Sequence, residues 1–510
     1  MRNINSLRSL QFRLLSVYNL HLWRGDCLDA CRGKNSKTLR PRRAFLSAGA
    51  WTIIFLALIS SAVILLRPEK ATEGLVLWSA AREHFVMYQP LADEWDKTHT
   101  PTVHPYLLSN DALTHRMMSG FLSRVPVADL IEVERSLIGP VFAGPIEDVG
   151  FLDLTPRLKT ETLNGVPLID AINRPSFSPW TSRGHIYGLP HDVHPCVLAY
   201  RADLVEAAGI DMSKIETWDD YARLMRPLLD HRGPDGQPDH YPMNIWYTSV
   251  DQIETLILQA GGGFFDSRGN LEIDSAVNAH VIATVISWTL GPNRISADAP
   301  EFTASGNALR LDGYVACAIM PDWLAGVYKI DIPGLAGKMK LMPLPAWTPG
   351  GRRTSVWGGT MLGIPKSGHN IEAAWAFAKH LYLSHDLART LFETNCIISP
   401  VKAFWAPETS PFYYKPDPFF RGQVIGQLFI SQAPNVPVRS SSPFNTIAKL
   451  RVNDAVVALR QYAESTQTYT AAGLEGQARV LLRRAEKSVR QQMEKSVFLA
   501  DGSAPASEAR

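Results

Sequence analysis

Leu75-Val76-Leu77-Trp78 is a short apolar run bounded by small residues, and its length is typical of a buried strand. It opens a pattern in which apolar runs alternate with segments of helical spacing as far as residue 133. The alternating strands and helices cover 75–78, 85–98, 102–108, 112–122 and 128–133. Strand, helix, strand, helix and strand at this spacing predict a parallel sheet with helical crossovers, so the fold class is α/β.

Later stretches continue the pattern without an internal repeat. Apolar runs predict strands at 315–320 and 340–344, and Thr217 has the residue type of an N-cap for the helix that follows it. The part of the chain after residue 70 has about 440 residues, and single hydrophobic cores stop growing near 250–300 residues. This part is therefore expected to form two or more lobes.

An uncharged apolar run of 23 residues, 44–66, lies near the N-terminus. As a helix rising ~1.5 Å per residue it would be roughly 34 Å long, enough to cross a bilayer core. Ten Lys or Arg precede it, against Asp26 and Asp29, and the positive-inside rule then keeps the N-terminus in the cytoplasm. The sequence predicts a basic cytoplasmic leader at 1–43, a transmembrane anchor at 44–66 and an extracytoplasmic body.

Other interpretations of this N-terminal region stay open. A cleaved signal peptide has an apolar run of about 7–15 residues and a small-x-small cleavage site, whereas this longer run ends in Leu65-Leu66-Arg67-Pro68. Arg42-Arg43 resembles a twin-arginine export signal, although ordinary positive-inside charges are the favoured explanation. The pattern favours an uncleaved anchor on the cytoplasmic membrane, and whether Met1 is the true start stays open.

The charge balance excludes one class of partner. The chain has 51 basic and 49 acidic residues, but twelve of the basic and three of the acidic residues precede residue 71. The remainder carries a formal charge of −7. A mildly acidic body without a basic run argues against nucleic-acid binding.

No metal or cofactor site is expected. Neither a Cys-x-x-Cys nor a His-Glu-x-x-His pattern occurs in the sequence. His191 and His194 lie three residues apart in a predicted strand, so their side chains point to opposite faces unless the strand bends. Cys196, Cys317 and Cys396 have apolar neighbours and are interpreted as small buried hydrophobes; one disulfide among them is open but not predicted.

Seven motifs follow one another between residues 187 and 377. They are Tyr187-Gly188-Leu189-Pro190, Tyr200-Arg201, Thr217-Trp218-Asp219-Asp220, Gly261-Gly262-Gly263-Phe264-Phe265-Asp266, Ala318-Ile319-Met320-Pro321-Asp322-Trp323, Trp357-Gly358-Gly359 with Gly363-Ile364-Pro365-Lys366, and Glu372-Ala373-Ala374-Trp375-Ala376-Phe377. In order and approximate spacing they resemble the solute-binding proteins of bacterial ABC sugar importers, the maltose-binding-protein-like family. The resemblance covers roughly residues 74–498.

The resemblance implies a periplasmic-binding-protein type II fold, in which two α/β lobes are linked by three crossing segments and hold ligand between them. It implies a first lobe from 74–191 plus 346–398 and a second from 192–345 plus 399–500. Residues 501–510 are expected to be a disordered tail. One departure from the family is the His-Pro pair at Pro195 in the first crossing, where family members usually continue a smooth strand.

A cleft that binds sugars needs flat aromatic side chains for the apolar ring face and fixed polar groups for the hydroxyls. Trp323 follows a buried strand at the position where the family places a stacking tryptophan, and Trp78 ends the first strand. The candidate ligand-binding residues are Trp323, Trp78, Asp192, Trp357, Glu132, Glu134, Arg135, Arg82, Glu83, Trp246 with its neighbour Tyr247, and Phe444. The alternative for each is lobe packing, a hinge hydrogen bond or a solvated charge. The tryptophans Trp95, Trp218, Trp288 and Trp375 lie on predicted helices and are expected in the core.

The sequence therefore predicts a membrane-tethered binding component of an ABC importer for a sugar or oligosaccharide, with permease subunits as partners and a monomeric binding domain. Hinge closure would retain the ligand, and no catalytic residue is expected. Two alternatives stay open. One is a ligand-sensing ectodomain that reports to a separate receptor. The other is a carbohydrate-active hydrolase that uses two of Asp192, Glu132 and Glu134.

Overall fold

The structure is a computed structural model that describes residues 47–66 and 74–496. The predicted leader at 1–43 and the predicted tail at 501–510 lie outside the described residues. The chain divides into two compact units, residues 1–71 and residues 72–510. In the described part of the first unit, residues 47–66, one helix, Ala48–Leu66, lies within the predicted anchor. Among the described residues, no helix combines the length and the apolarity that crossing a membrane requires.

The α-helices, numbered in chain order, are α1 Ala48–Leu66, α2 Arg82–Asp96, α3 Asn110–Ser123, α4 Arg135–Ile138, α5 Thr155–Thr160, α6 Leu168–Ala171, α7 Ala202–Ala207, α8 Trp218–Leu224, α9 Val250–Gln259, α10 Ala276–Thr289, α11 Ala304–Asp312, α12 Asp322–Asp331, α13 Ile371–Tyr382, α14 His385–Asn395, α15 Ile425–Gln432, α16 Asn445–Thr466 and α17 Ala471–Lys495. The strands are β1 Leu75–Ser79, β2 Val103–Leu107, β3 Leu130–Glu134, β4 Thr162–Leu163, β5 Val166–Pro167, β6 Thr181–Ser182, β7 His185–Ile186, β8 Leu189–Pro190, β9 Cys196–Arg201, β10 Tyr241–Asn244, β11 Ser296–Ala297, β12 Val315–Pro321, β13 Met339–Pro343 and β14 Thr360–Gly363.

The first large sheet has the strand order β2-β1-β3-β14-β8. Strands β1, β2 and β3 are parallel, as the alternating pattern predicts, and β14 runs antiparallel to both β3 and β8. Leu75 and Leu77 of β1 are buried on one face, whereas Val76 and Trp78 pack against a second cluster on the other. Because both faces of β1 are covered, its sequence is a continuous apolar run.

The second large sheet has the strand order β11-β10-β12-β9-β13. Strands β10, β11 and β12 are parallel, and β9 runs antiparallel to its neighbours β12 and β13. The helix predicted after Thr217 is present, with a capping box in which Thr217 and Asp220 satisfy each other's backbone N–H groups. The strand predictions at 315–320 and 340–344 are confirmed within one or two residues.

One hydrophobic cluster joins the two sheets. It contains Leu75 and Leu77 of the first sheet together with Val197, Ala199 and Met320 of the second. The tryptophans predicted for the core are buried, as is each of the three described cysteines, which are free thiols. Burial raises the pKa of Cys317 and of Cys396 to about 12, so both stay as protonated thiols at neutral pH.

Candidate functional site

The chain crosses from the first sheet to the second between β8 and β9, at residues 191–195. Ligands of open α/β sheets bind at the carboxyl ends of parallel strands and in clefts between lobes. In this structure Asp322, the residue after β12, contacts His194 of the crossing, and Glu132 of β3 is connected to His191 through His84. The candidate site is therefore built around this crossing.

His194 lies between two carboxylates in the buried crossing. Its Nε2 is 3.1 Å from Asp192 Oδ2 and its Nδ1 is 2.7 Å from Asp322 Oδ1. Burial opposes the charge on the ring, but the two carboxylates outweigh it and raise the pKa of His194 to about 10. The same contacts hold the pKa of Asp192 well below its usual range, despite burial. Asp192 also accepts the backbone N–H of Thr360 at 3.1 Å, so it fastens the crossing to β14.

The two histidines of the crossing converge, although an extended strand would place them on opposite faces. His191 Nδ1 lies 3.2 Å from Asp192 Oδ2, the same oxygen that His194 contacts. Residues 191–194 do not form a strand, and His194 has a φ of 57°, which turns the backbone and brings both rings to one side. In the described part of the chain no group of three or more His, Cys, Asp or Glu side chains has the arrangement of a metal site.

Glu132 belongs to a second buried cluster that continues the first. His84 Nδ1 lies 3.0 Å from Glu132 Oε1, and Tyr382 donates to Oε2 at 3.4 Å. The ring of His191 packs against that of His84, with centroids 4.2 Å apart and planes tilted by 32°. Burial works against both charges, but the contact between them raises the pKa of His84 and lowers that of Glu132. Burial and then the neighbouring His84 cation lower the pKa of His191, so this ring stays neutral.

Aromatic side chains cover the other side of the crossing. The Trp323 indole N–H donates to the carbonyl of Trp357 at 2.9 Å, and the two rings meet edge to face with centroids 6.0 Å apart. Phe302 lies nearly parallel to Trp323, at a centroid distance of 6.0 Å and an angle of 12°. Phe302 is 59% exposed, so much of its ring surface is accessible. Trp323 and Phe302 therefore present neighbouring apolar ring surfaces.

Two glycines allow the close approach around this aromatic group. A Cβ on Gly358 would lie 3.1 Å from Trp323 Nε1 and 3.2 Å from a carbon of the His194 ring, and one on Gly359 would lie 2.9 Å from Arg439 Nη2. Both glycines have positive φ, 92° and 127°. Arg439 donates to the carbonyl of Gly358. Burial, followed by the nearby Arg135 cation, lowers the pKa of Arg439 to about 9.

Arg135 and Glu254 form a bidentate ion pair between the end of β3 and helix α9. The two guanidinium nitrogens lie 2.6 and 3.0 Å from the two carboxylate oxygens, and both side chains are nearly buried. Lys449 adds a third contact, 3.1 Å from Glu254 Oε2. Beside this pair is a cavity of about 670 Å³, lined by Arg135, Phe444 and Lys449 among others. Two candidates named from the sequence, Arg135 and Phe444, therefore share one cavity.

The remaining candidates lie elsewhere. Glu134 is exposed and accepts the Ser136 hydroxyl at 2.6 Å. Arg82 and Glu83 are exposed and line a separate groove of about 530 Å³ with residues of α2 and α14.

Trp78 and Trp246 are half-buried. Trp78 packs against the cluster behind the first sheet, and the backbone N–H of Trp246 donates to Gln252. The structure thus joins Asp192, Trp323 and Trp357 around the crossing.

Sequence reasoning missed four residues of this site. His194 was considered only in a metal pair and in the His-Pro pair of the crossing, and Asp322, Arg439 and Phe302 were not among the candidate ligand-binding residues. Asp322 and Trp323 are consecutive at the end of a buried strand, which was a usable signal for a polar group beside the tryptophan. Phe302 precedes the N-cap Thr303 of α11, a position where an apolar residue is usually explained by helix packing.

The sequence profile of the bacterial extracellular solute-binding proteins matches residues 89–384, more than half of the chain. The chain belongs to this family. Among curated solute-binding proteins, an arabinooligosaccharide-binding protein of Halalkalibacterium halodurans is 26% identical over 334 residues, 62% of this chain and 68% of the relative. A lactose-binding protein of Rhizobium radiobacter is 27% identical over 264 residues, 50% of this chain and 59% of the relative.

A solved solute-binding protein shares the fold. The sugar-binding protein MalE of Xanthomonas citri superposes with a TM-score of 0.67 at 17% identity, covering 84% of this chain and all of that one. The likeness confirms the two-lobe α/β architecture of this solute-binding protein.

Proposed function

We propose that this chain is the substrate-binding protein of an ABC importer and that it binds an oligosaccharide between two lobes. The first lobe is assigned to 74–191 plus 346–398 and the second to 192–345 plus 399–500. The crossing at residues 191–195 serves as one hinge segment. Hinge closure over the ligand would give permease subunits a loaded form to recognise.

The observation that carries the proposal is the pair formed by Trp323 and Phe302. Sugar rings present an apolar face and a rim of hydroxyl groups, and neighbouring aromatic surfaces match the face. The inter-lobe pair of Arg135 provides fixed polar groups for the rim, whereas Asp192 and His194 of the crossing are buried and position the aromatic group. A hydroxyl that loses water without a partner costs ~1–3 kcal/mol, so such groups select a ligand by hydroxyl position.

The relatives support the ligand class by what their names state. One is an arabinooligosaccharide-binding protein and another is a lactose-binding protein, so both bind sugars of more than one unit. Family membership supports an extracytoplasmic body. The uncharged run at 44–66 and the basic leader before it support tethering of that body to the cytoplasmic membrane.

Isothermal titration of the full chain in detergent micelles tests the function, with arabino-oligosaccharides and lactose as first ligands. Binding of either without release of shorter sugars supports a binding protein. Hydrolysis of the bound sugar, or binding of amino acids instead, contradicts the proposal.

Trp323→Ala tests the site, and Trp405→Ala is its matched control. Both tryptophans are half-buried, both pack against the cluster that joins the sheets, and both donate the indole N–H to a carbonyl. We expect about tenfold weaker binding, or ~1.4 kcal/mol, for Trp323→Ala only. Equal losses for the two variants would show that Trp323 acts through packing.

A further inference from the structure

We propose that His194 is a positioning residue of the ligand site, held as an imidazolium whose two N–H groups join the crossing to the residues that carry Trp323. The proposal rests on the proposed function, since it explains how the aromatic surface of that site is fixed. His194 is 5% exposed, so it acts through its neighbours.

The positions of the two ring nitrogens require the charged form. A neutral imidazole has one N–H and one lone pair, whereas the imidazolium has two N–H groups. Nδ1 faces Asp322 at 2.7 Å and Nε2 faces Asp192 at 3.1 Å, with carboxylate oxygens on both sides. In either neutral tautomer one lone pair would face a buried carboxylate. Only the imidazolium satisfies both partners.

Asp322 connects the charged His194 ring to the aromatic group. Its Oδ1, which accepts from His194, also accepts the backbone N–H of Trp323 at 2.8 Å, and its Oδ2 accepts that of Ile398 at 3.0 Å. The indole of Trp323 is held separately by the carbonyl of Trp357. Asp322 therefore fixes the backbone of Trp323, and Trp357 fixes its ring. His194 contributes to both, because it contacts Asp322 and borders Gly358, the residue after Trp357.

Asp192 connects the charged His194 ring to the first sheet. It accepts the N–H of Thr360 in β14, while Asp322 begins helix α12 after a strand of the second sheet. The doubly protonated ring of His194 thus links elements of both sheets at the crossing. The titratable groups around His194 and its two carboxylates are Asp192, Asp322, His191, His84, Glu132, Arg439, Tyr382, Tyr413, Cys196 and Cys396.

This arrangement predicts an unusual pH dependence. An ordinary histidine loses its proton near pH 6.5, but the pKa of His194 is raised to about 10. The stability that the charged ring contributes is complete below the unfolded-state pKa and is lost progressively as the pH rises to the folded-state value, while the ring of the folded protein stays charged until the pH approaches that value. Ligand affinity that depends on His194 is therefore expected to be constant from pH 6 to 8 and to fall above pH 9.

Nitrogen-15 NMR of histidine-labelled full chain tests the charge directly and without ligand. We expect the ring of His194, assigned from its absence in His194→Gln, to remain doubly protonated at pH 8.5. His185 is the internal reference, since it is 43% exposed and has one carboxylate partner, Asp153 at 2.7 Å. A neutral His194 ring at pH 8.5 would overturn the proposal.

The positioning role is tested by His194→Gln and Asp322→Asn, with His185→Gln as the control. We expect both site variants to shift the indole N–H resonance of Trp323 and to weaken carbohydrate binding about tenfold, and the control to do neither. A His194→Gln variant with an unmoved Trp323 resonance refutes the role. If the wild type binds no carbohydrate, the proposed function fails, but the charge state and the indole resonance still decide this inference.

Discussion

Replacing Glu254 by Gln is expected to loosen the two lobes by removing the ion pair with Arg135. Both partners are nearly buried, and a second cation, Lys449, lies 3.1 Å from the same carboxylate. Breaking a buried pair by removing one partner costs ~3–5 kcal/mol, because the remaining charge is left without compensation. Lys449 keeps its contact with Asp251, so we take the lower limit. The arrangement that contains the pair then becomes about 100-fold less favourable relative to arrangements in which the pair is absent.

Lobe separation gives the variant a way to relieve this cost, because the freed Arg135 guanidinium regains water when the cleft opens. The radius of gyration from small-angle X-ray scattering should therefore rise, while the free energy of unfolding falls by less than the full cost. Glu372→Gln is the matched control. Glu372 also forms a bidentate pair, with Arg157, but its side chain is 75% exposed and both partners belong to the predicted first lobe. Exposed pairs contribute ~0–1 kcal/mol, so neither quantity should change measurably. Unchanged scattering of Glu254→Gln would refute the inter-lobe role.

Two further substitutions have clear expectations. Gly359→Ala should lower the free energy of unfolding by ~2–4 kcal/mol in urea titrations, because φ is 127° and the new Cβ would lie 2.9 Å from Arg439 Nη2; a loss below ~1 kcal/mol would show that this segment adapts. Phe302→Ala should weaken carbohydrate binding about tenfold in titration calorimetry while leaving the melting temperature nearly unchanged, because the ring is 59% exposed and stacks on Trp323. Unchanged affinity would remove Phe302 from the binding surface.

Local structure was predictable because it depends on neighbouring residues. The apolar run at 75–78 and the strand at 128–133 are buried strands, and the parallel order of β1, β2 and β3 follows from the helices between them. The Thr217 cap is present because an N-cap bonds only to the residue three positions later, here Asp220. Chain length and motif order, rather than periodicity, carried the expectation of two lobes.

The chemistry of the crossing was not predictable in the same way. The contact between His194 and Asp322 joins residues 128 positions apart, and no spacing rule relates them. The two histidines were placed by strand alternation, which fails where one residue adopts positive φ. Arg439 was missed because its partner is the carbonyl of Gly358. Every residue has a backbone carbonyl, so the sequence does not indicate which one accepts a hydrogen bond.

The place of β14 in the first sheet has a consequence for synthesis of the chain. This strand lies between β3 and β8, and every strand of the second sheet is translated after β8 and before β14. Ribosomes add about 5–20 residues per second. Strands β3 and β8 are therefore made well before β14, the strand that joins them, because all strands of the second sheet are synthesised in between. A nascent chain that ends before Thr360 has a gap in its first sheet. Vectorial synthesis therefore keeps the first sheet incomplete, with strand edges of β3 and β8 open, until every strand of the second sheet has been made.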